Sequence, residues 1–228
     1  MSPSPPLRAA ASPVPKTAGP DAAGADLLVA LTEARRLGFL GPGPVTDQLA
    51  RSLAFASAAG TAPENAIDLG TGGGLPGLVL AVAWPGSHWA LVDSNLRRSR
   101  WLAAVVERLG MGDRCRVVAE RAELVGRGPL RYQADLVTAR SFGPPAPTAE
   151  CGAPLLRLGG RLVVADPPEV CPERWPLTGL AAVGLALEGP RRVSTEAGPV
   201  SLSVLVSQAP CPDRYPRRVG APFKRPLF

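Results

Sequence analysis

The sequence is short of the residues on which most side-chain chemistry depends. It holds one histidine, two tyrosines and two methionines in 228 residues. The histidine, His88, opens a strand-like segment, so it reads as a strand-end residue rather than a ligand or a catalytic base. The four cysteines, Cys115, Cys151, Cys171 and Cys211, are widely spaced and form no CxxC pair. That spacing argues against a zinc site or a redox motif. No apolar run is long enough to cross a bilayer. The first residues lack the apolar stretch and cleavage pattern of a secretory leader. These absences predict a cytoplasmic protein with reduced thiols, no membrane partner and no metal.

What remains is a chain able to build a core, since 46% of it is hydrophobic. Its length suits one α/β domain with an extension and is short for two full domains. The net charge of +6 favours polyanionic partners, but only as a prior. Where the basic residues cluster carries more weight than their total.

Residues 1–24 are rich in Pro, Ala, Ser and Gly and have almost no large apolar groups. Such a segment cannot offset its ordering entropy by burial, so it is expected to be disordered. Helices are expected at 26–37 and 46–59, either side of Gly41-Pro42-Gly43-Pro44. From Asn65 onward strands and helices alternate. Strands are expected at 66–69, 88–92, 114–119, 134–138 and 160–165, with helices at 76–83 and 96–109. A last pair of strands is expected at 183–187 and 200–206. This order predicts an α/β fold with a mostly parallel, doubly wound sheet and a terminal antiparallel strand. The domain would span residues 25–207, followed by a basic tail at 208–228.

The most informative stretch is Asp68-Leu69-Gly70-Thr71-Gly72-Gly73-Gly74-Leu75-Pro76-Gly77. Glycines between a strand and a helix permit positive φ and let a ligand approach the backbone. Pro76 suits a first helical turn, where its missing N–H has no partner to lose. Gly72, Gly74 and Gly77 also satisfy the dinucleotide pattern GxGxxG. Two acids favour S-adenosylmethionine instead. Asp68 precedes the glycines, where a carboxylate suits a cationic amino group and would repel a pyrophosphate. Asp93 ends the second strand, where a carboxylate can hold ribose hydroxyls. A helix N-cap, shared with Ser94, is the other reading of Asp93.

These residues resemble the RsmG (GidB) family of bacterial 16S ribosomal RNA guanine-N7 methyltransferases. The resemblance rests on Asp68–Gly77, on Leu91-Val92-Asp93-Ser94 with Arg97-Arg98 and Arg100-Trp101-Leu102, on Arg121-Ala122-Glu123 and on Thr138-Ala139-Arg140. It continues through the closing stretch from Arg214 to Leu227 and covers about residues 25–228. It implies the Rossmann-like class I methyltransferase fold and cofactor contacts at Gly70, Leu75, Ala122, Glu123 and Arg140, beside Asp68, Gly72, Gly74 and Asp93 from the loop reading. Arg140 has two other readings, a contact to substrate phosphate or a structural pair with a carboxylate. Glu123 has one, a solvated charge.

The sequence departs from the family's pattern twice. Gln48-Leu49-Ala50-Arg51-Ser52-Leu53 stands where the family has an Arg-His pair. The acidic stretch Asp166-Pro167-Pro168-Glu169 stands where it has a lysine followed by glycine. In the tail, Arg214, Arg217, Arg218, Lys224 and Arg225 lie beside Tyr215 and Phe223, a combination suited to phosphates and unpaired bases. The expectation is a monomeric enzyme that moves a methyl from S-adenosylmethionine to guanine N7 of small-subunit ribosomal RNA. Two alternatives stay open: a methyltransferase of another substrate, and a non-catalytic RNA-binding relative.

Overall fold

The computed structural model describes residues 22–169 and 172–228. The stretch expected to be disordered falls outside these residues as far as residue 21, and so does Cys171. Helix α1 (Ala22–Arg36) takes in residues 22–24, which the sequence reading had left to that stretch. It buries Leu27, Ala30, Leu31 and Ala34, a stripe at three- and four-residue spacing. Helix α2 (Val45–Ala59) buries Val45, Gln48, Ser52, Phe55 and Ala59 in the same rhythm and ends at Gly60.

The alternating part then builds one seven-stranded sheet. Its elements are β1 (Asn65–Leu69), α3 (Gly77–Ala83), β2 (His88–Val92), α4 (Leu96–Arg108), β3 (Cys115–Val118), α5 (Ala122–Val125), β4 (Ala134–Ala139), α6 (Pro145–Gly152), β5 (Leu156–Ala165), α7 (Leu177–Ala181), β6 (Leu185–Val193) and β7 (Val200–Ser207). The strand order is β3-β2-β1-β4-β5-β7-β6. The first five strands are parallel, and β7 runs antiparallel to both β5 and β6. One face packs on Leu31, Phe55, Leu80 and Leu102 of α1–α4. The other packs on Cys151, Leu180, Cys211 and Tyr215. With both faces covered, the inner strands read as near-continuous apolar runs.

Two strands run further than the sequence pattern suggests. β5 starts at Leu156 rather than at residue 160, because the ladder with β4 shifts register and passes through Gly159-Gly160. A Cβ at Gly160 would lie 2.8 Å from the Ala134 carbonyl oxygen, so the two backbones touch there. β6 continues through Glu188, Pro190, Arg191 and Arg192, which break the apolar alternation. They are tolerated because β6 is the sheet edge, where charge and proline discourage pairing with another chain.

The basic tail is part of the domain rather than a loose extension. Arg131 donates to the carbonyls of Cys211 and Tyr215, each at 2.8 Å. Arg217 makes a two-pronged pair with Glu150 of α6, with Nε to Oε1 at 2.9 Å and Nη2 to Oε2 at 2.6 Å. The Arg217 backbone N–H adds a third bond at 2.8 Å. A short helix α8 (Ala221–Lys224) follows. The cause is Glu150, which is fully buried and needs a cation and N–H donors. Arg217, assigned from sequence to RNA phosphate, is therefore spent inside the fold. The thiols of Cys115, Cys151 and Cys211 are free and buried. Burial pushes Cys115 up to about 12 and Cys211 up to about 11, and raises Cys151 as well, so none is a ready nucleophile.

Replacing Arg217 with alanine strands the buried Glu150 charge. Urea unfolding should show a loss of about 3–5 kcal/mol. The double change to Glu150→Met and Arg217→Met should recover most of it. An unchanged midpoint for Arg217→Ala would show that the pair does not anchor the tail.

Candidate functional site

The carboxyl ends of β1, β2, β3 and β4 converge on the glycine turn. The N–H groups of Gly70 and Thr71 both donate to the Val92 carbonyl, at 2.9 and 3.0 Å, which draws the turn across the end of β2. Gly70 and Gly72 have φ of +69° and +56°, a region that L side chains rarely adopt. Gly77 is required for a different reason. A Cβ there would fall 2.5 Å from the Asp68 Cβ. A Cβ at Gly72 would make only ordinary contacts, with the Phe39 and Gly70 carbonyl oxygens at 3.7 and 3.8 Å, so a side chain there meets backbone strain before any clash.

Asp68 and Asp93 hold this turn from two sides. Asp68 is fully buried. Its Oδ2 accepts from the Gly77 N–H at 3.0 Å and its Oδ1 from the Thr138 hydroxyl at 2.7 Å. Burial pushes its carboxyl up to about 6, against the pull of those hydrogen bonds and the Arg140 charge. Asp68 thus ties β1, β4 and α3 together and lies beneath the site rather than on its wall. Asp93 accepts from the Gly72 N–H at 2.9 Å and from the Asn95 N–H at 2.8 Å. The α4 cap that sequence left between Asp93 and Ser94 belongs to Asn95, which accepts from the N–H groups of Arg97 and Arg98.

A cavity of about 350 Å³ opens here, walled by Gly70, Asp93, Ala122, Glu123, Phe142 and Phe223, with Arg98 and Arg121 at its sides. Ala122 and Glu123 open α5. Glu123 Oε1 accepts from the Gly220 N–H at 2.8 Å and from Arg121 at 3.4 Å. Burial favours its neutral form, but these donors outweigh burial and hold the carboxyl below its usual range. A larger hollow of about 560 Å³, lined by Asn65, His88, Trp89 and Cys115, lies at the opposite, amino ends of the strands, away from the turn.

Four of the nine residues expected to hold the cofactor, Gly70, Asp93, Ala122 and Glu123, line one cavity. Gly72 is joined to it through Asp93. Gly74 and Leu75 turn inward. A Cβ at Gly74 would press on Leu78 and Leu102, and Leu75 belongs to the core, so both shape the turn from behind. Arg140 faces α2, where it donates to the Ser52 hydroxyl at 3.3 Å and to the Gln48 side-chain carbonyl. Its structural partners are thus an amide and a hydroxyl, supplied by the stretch in which the family's histidine is absent. Burial and the neighbouring Arg51 charge lower its pKa. Asp166, whose acidic loop departs from the family pattern, is buried and bonded to Arg174 at 3.1 Å and to the Ser203 hydroxyl, so it presents no free charge to the site.

Sequence reasoning did not find Phe142 and Phe223 as walls of the site. Phe142 lies two residues after Arg140, and its place just beyond the end of β4 was the available signal. Nothing in the spacing shows that residue 223 returns to the first turn.

A sheet of this order, with the turn after β1 and the cavity at the carboxyl edge, defines a Rossmann-like class I methyltransferase fold. Solved structures agree. An O-methyltransferase from Bacillus cereus in complex with SAH aligns with a TM-score of 0.57 at 14% identity, covering 85% of this chain and 94% of that one. TrmN from Thermus thermophilus aligns with a TM-score of 0.52 at 18% identity, covering 74% of this chain and 55% of that one. The family model for rRNA small subunit methyltransferase G, GidB, matches residues 42–166. Ribosomal RNA small subunit methyltransferase G of Roseiflexus castenholzii is 38% identical over 189 residues, 81% of this chain and 80% of its own length. That of Symbiobacterium thermophilum is 40% identical over 180 residues, 74% and 72% of the two chains. The chain belongs to this family.

Asp68 should leave a pH signature. Its folded-state carboxyl, near 6, lies above the ordinary 3.8, so the folded state binds more protons between those values. Its contribution is full below about pH 4 and is lost as pH rises through about 6, a change of roughly 3 kcal/mol. In Asp68→Asn the amide oxygen can still accept from Gly77, and the Thr138 hydroxyl can turn to accept from the amide. Urea titrations across that range should show wild type losing stability relative to Asp68→Asn. Parallel curves would show that Asp68 does not carry the shift.

Proposed function

We propose that this protein transfers a methyl group from S-adenosylmethionine to N7 of a guanine in 16S ribosomal RNA, in the cytoplasm and as a monomer. The observation that carries the reading is the cavity in which the Gly70 turn, Asp93 and the Ala122–Glu123 pair meet, in a chain of the small-subunit rRNA methyltransferase family. Among the described residues, no helix is long and apolar enough to cross a membrane, and no cluster of metal-ligating side chains occurs.

The residues present fit the cofactor. The cavity's volume falls at the small end of the range for ligand sites. Asp93 has two oxygens, each with one lone pair taken by an N–H, which leaves acceptor capacity for ribose hydroxyls. Ala122 leaves room for a flat base, and Glu123 adds an acceptor beside it. Bound there, S-adenosylmethionine supplies an activated methyl group. Guanine N7 has a lone pair and no proton to lose, so no side chain has to act as a base. The site suits that requirement. Its three acids, Asp93, Glu120 and Glu123, each accept from a backbone N–H, and His88 lies at the other end of the sheet. The work left to the protein is to hold, orient and exclude water, which in favourable systems is worth about 7–11 kcal/mol.

The basic residues assigned to RNA divide into two groups. Arg217 is committed to Glu150, while Arg214, Arg218, Lys224 and Arg225 are exposed on the same segment. Arg98 and Arg121, at the cavity's sides, add charge next to the site.

The direct test is methyl transfer to small-subunit RNA from a strain lacking this protein, with the product base mapped. N7-methylguanine is expected. A methyl on another atom or molecule overturns the reading. In the same assay Asp93→Ala should weaken S-adenosylmethionine binding roughly 10- to 100-fold, the size of a lost charged hydrogen bond. Unchanged affinity would remove Asp93 from the cofactor site.

The RNA-facing charges make a separate prediction. Replacing Arg218 and Lys224 together with glutamine should flatten the log–log salt dependence of RNA binding, by about 0.7 for each lost phosphate contact on single-stranded RNA. An unaltered slope would show that these side chains do not touch phosphate.

A further inference from the structure

Two phenylalanines from distant parts of the chain form one wall of the cavity. Phe142 follows β4, and Phe223 lies in α8. Their rings meet edge to face with centroids 5.8 Å apart. Phe142 sits over the glycine turn, where a Cβ at Gly70 would come within 2.9 Å of its Cδ2. Phe223 covers Gly143, where a Cβ would come within 2.8 Å of its Cε1.

Phe223 nevertheless stays 40% exposed. Its place does not come from its own burial. The Gly220 N–H is bonded to Glu123, Arg217 is locked to Glu150, and Arg217 Nη2 also donates to the Arg225 carbonyl at 2.7 Å. Charged hydrogen bonds on either side of residue 223 thus hold an apolar ring at the mouth of a polar cavity.

The sheet order says which end of the cavity this is. Asp93 and Ala122 follow β2 and β3 and mark the ribose and adenine end. The Gly70 turn follows β1. β4 lies on the far side of β1 from β2, so Phe142 stands away from the ribose end, and Phe223 packs against it from α8, whose cap Gly220 is held by Glu123. Arg98 and Arg121 border the same cavity, paired with Asp93 and Glu123, and the exposed Lys224 adjoins Phe223, so an aromatic surface and positive charge occur together. An unpaired base offers both a π-face and a phosphate.

We propose that Phe223 is the platform on which the unpaired target guanine stacks beside Phe142. The proposal rests on the reading of the chain as an RNA guanine methyltransferase and adds the group that positions the base. Leucine at 223 fills much of the same space without a π-face, and tryptophan enlarges that face.

The test is steady-state methyl transfer by the full chain to small-subunit RNA, with S-adenosylmethionine affinity measured separately by calorimetry. For Phe223→Leu, kcat/KM for RNA should fall about 5- to 150-fold, the range of one lost base–aromatic stack, while cofactor affinity is unchanged. Phe223→Trp should keep most of the rate. A Phe223→Leu enzyme as fast as wild type overturns the proposal, because the ring would then serve only packing. Equal losses in the leucine and tryptophan variants overturn it as well. Loss of cofactor affinity in Phe223→Leu also overturns it, by moving the ring to the adenosine end. Failure of the parent reading is visible in wild type alone, as the absence of methyl on RNA guanine, and takes the proposal with it.

Discussion

A buried carboxylate bonded to a backbone N–H is the interaction on which the site is built, and it occurs four times among the described residues. Asp68 holds Gly77, Asp93 holds Gly72, Glu123 holds Gly220 and Glu150 holds Arg217. All four acids are at most 6% exposed. An ionised or polar group withdrawn from water must find donors, and a main-chain N–H at a turn is a fixed one. Each bond therefore pins a loop to a strand end or helix that cannot move independently. Two of these acids fix the glycine turn, and the other two bring the end of the chain back to it. The cavity lies where these fixed segments meet.

The sheet and the turn were legible because their signals are local. Alternating apolar runs and helical stripes give β1 to β4 and α4 nearly to the residue. The Gly70–Gly77 turn is legible because positive φ and close packing demand glycine. Asp93 is legible because its position follows from the strand end. What escaped depends on distant partners. Glu150 lies in a short proline-rich helix and shows no sign that it will recruit Arg217, which is 67 residues away. The same pairing docks the basic tail on the domain and leaves Arg214, Arg218, Lys224 and Arg225 exposed. The motif also does not show that the Leu75 side chain and the Cβ direction at Gly74 point into the core, which leaves only their backbone toward the site. The charged half of β6 was missed because an edge strand need not alternate.

The two departures from the family pattern lose much of their force once their surroundings are known. Ser52 and Gln48 stand where the Arg-His pair differs, and both are bonded to Arg140, so the polar link between α2 and β4 is made with other side chains. Asp166 might have repelled a polyanion at the crevice. It is instead enclosed with Arg174 and the Ser203 hydroxyl, at the end of β5 beside β7. Gln48, Ser52 and Asp166 act within the fold, and Glu169 is the acid of that stretch left exposed.

The residues proposed to hold the cofactor and those proposed to face RNA are not separable pieces of this chain. Glu123 walls the cavity and holds Gly220, and the segment from Arg218 to Arg225 carries both Phe223 and the exposed cations. A force on that segment from bound RNA reaches Glu123 through one hydrogen bond. If the bond changes when either ligand binds, each ligand must alter the affinity of the other by the same factor. Deleting the tail would therefore confound the two functions, whereas side-chain changes that leave Gly220 and Arg217 in place can distinguish them. The glycine at 220 is needed for that coupling, since its φ of +78° directs the chain from the Glu150 pair into α8 while leaving its N–H on Glu123.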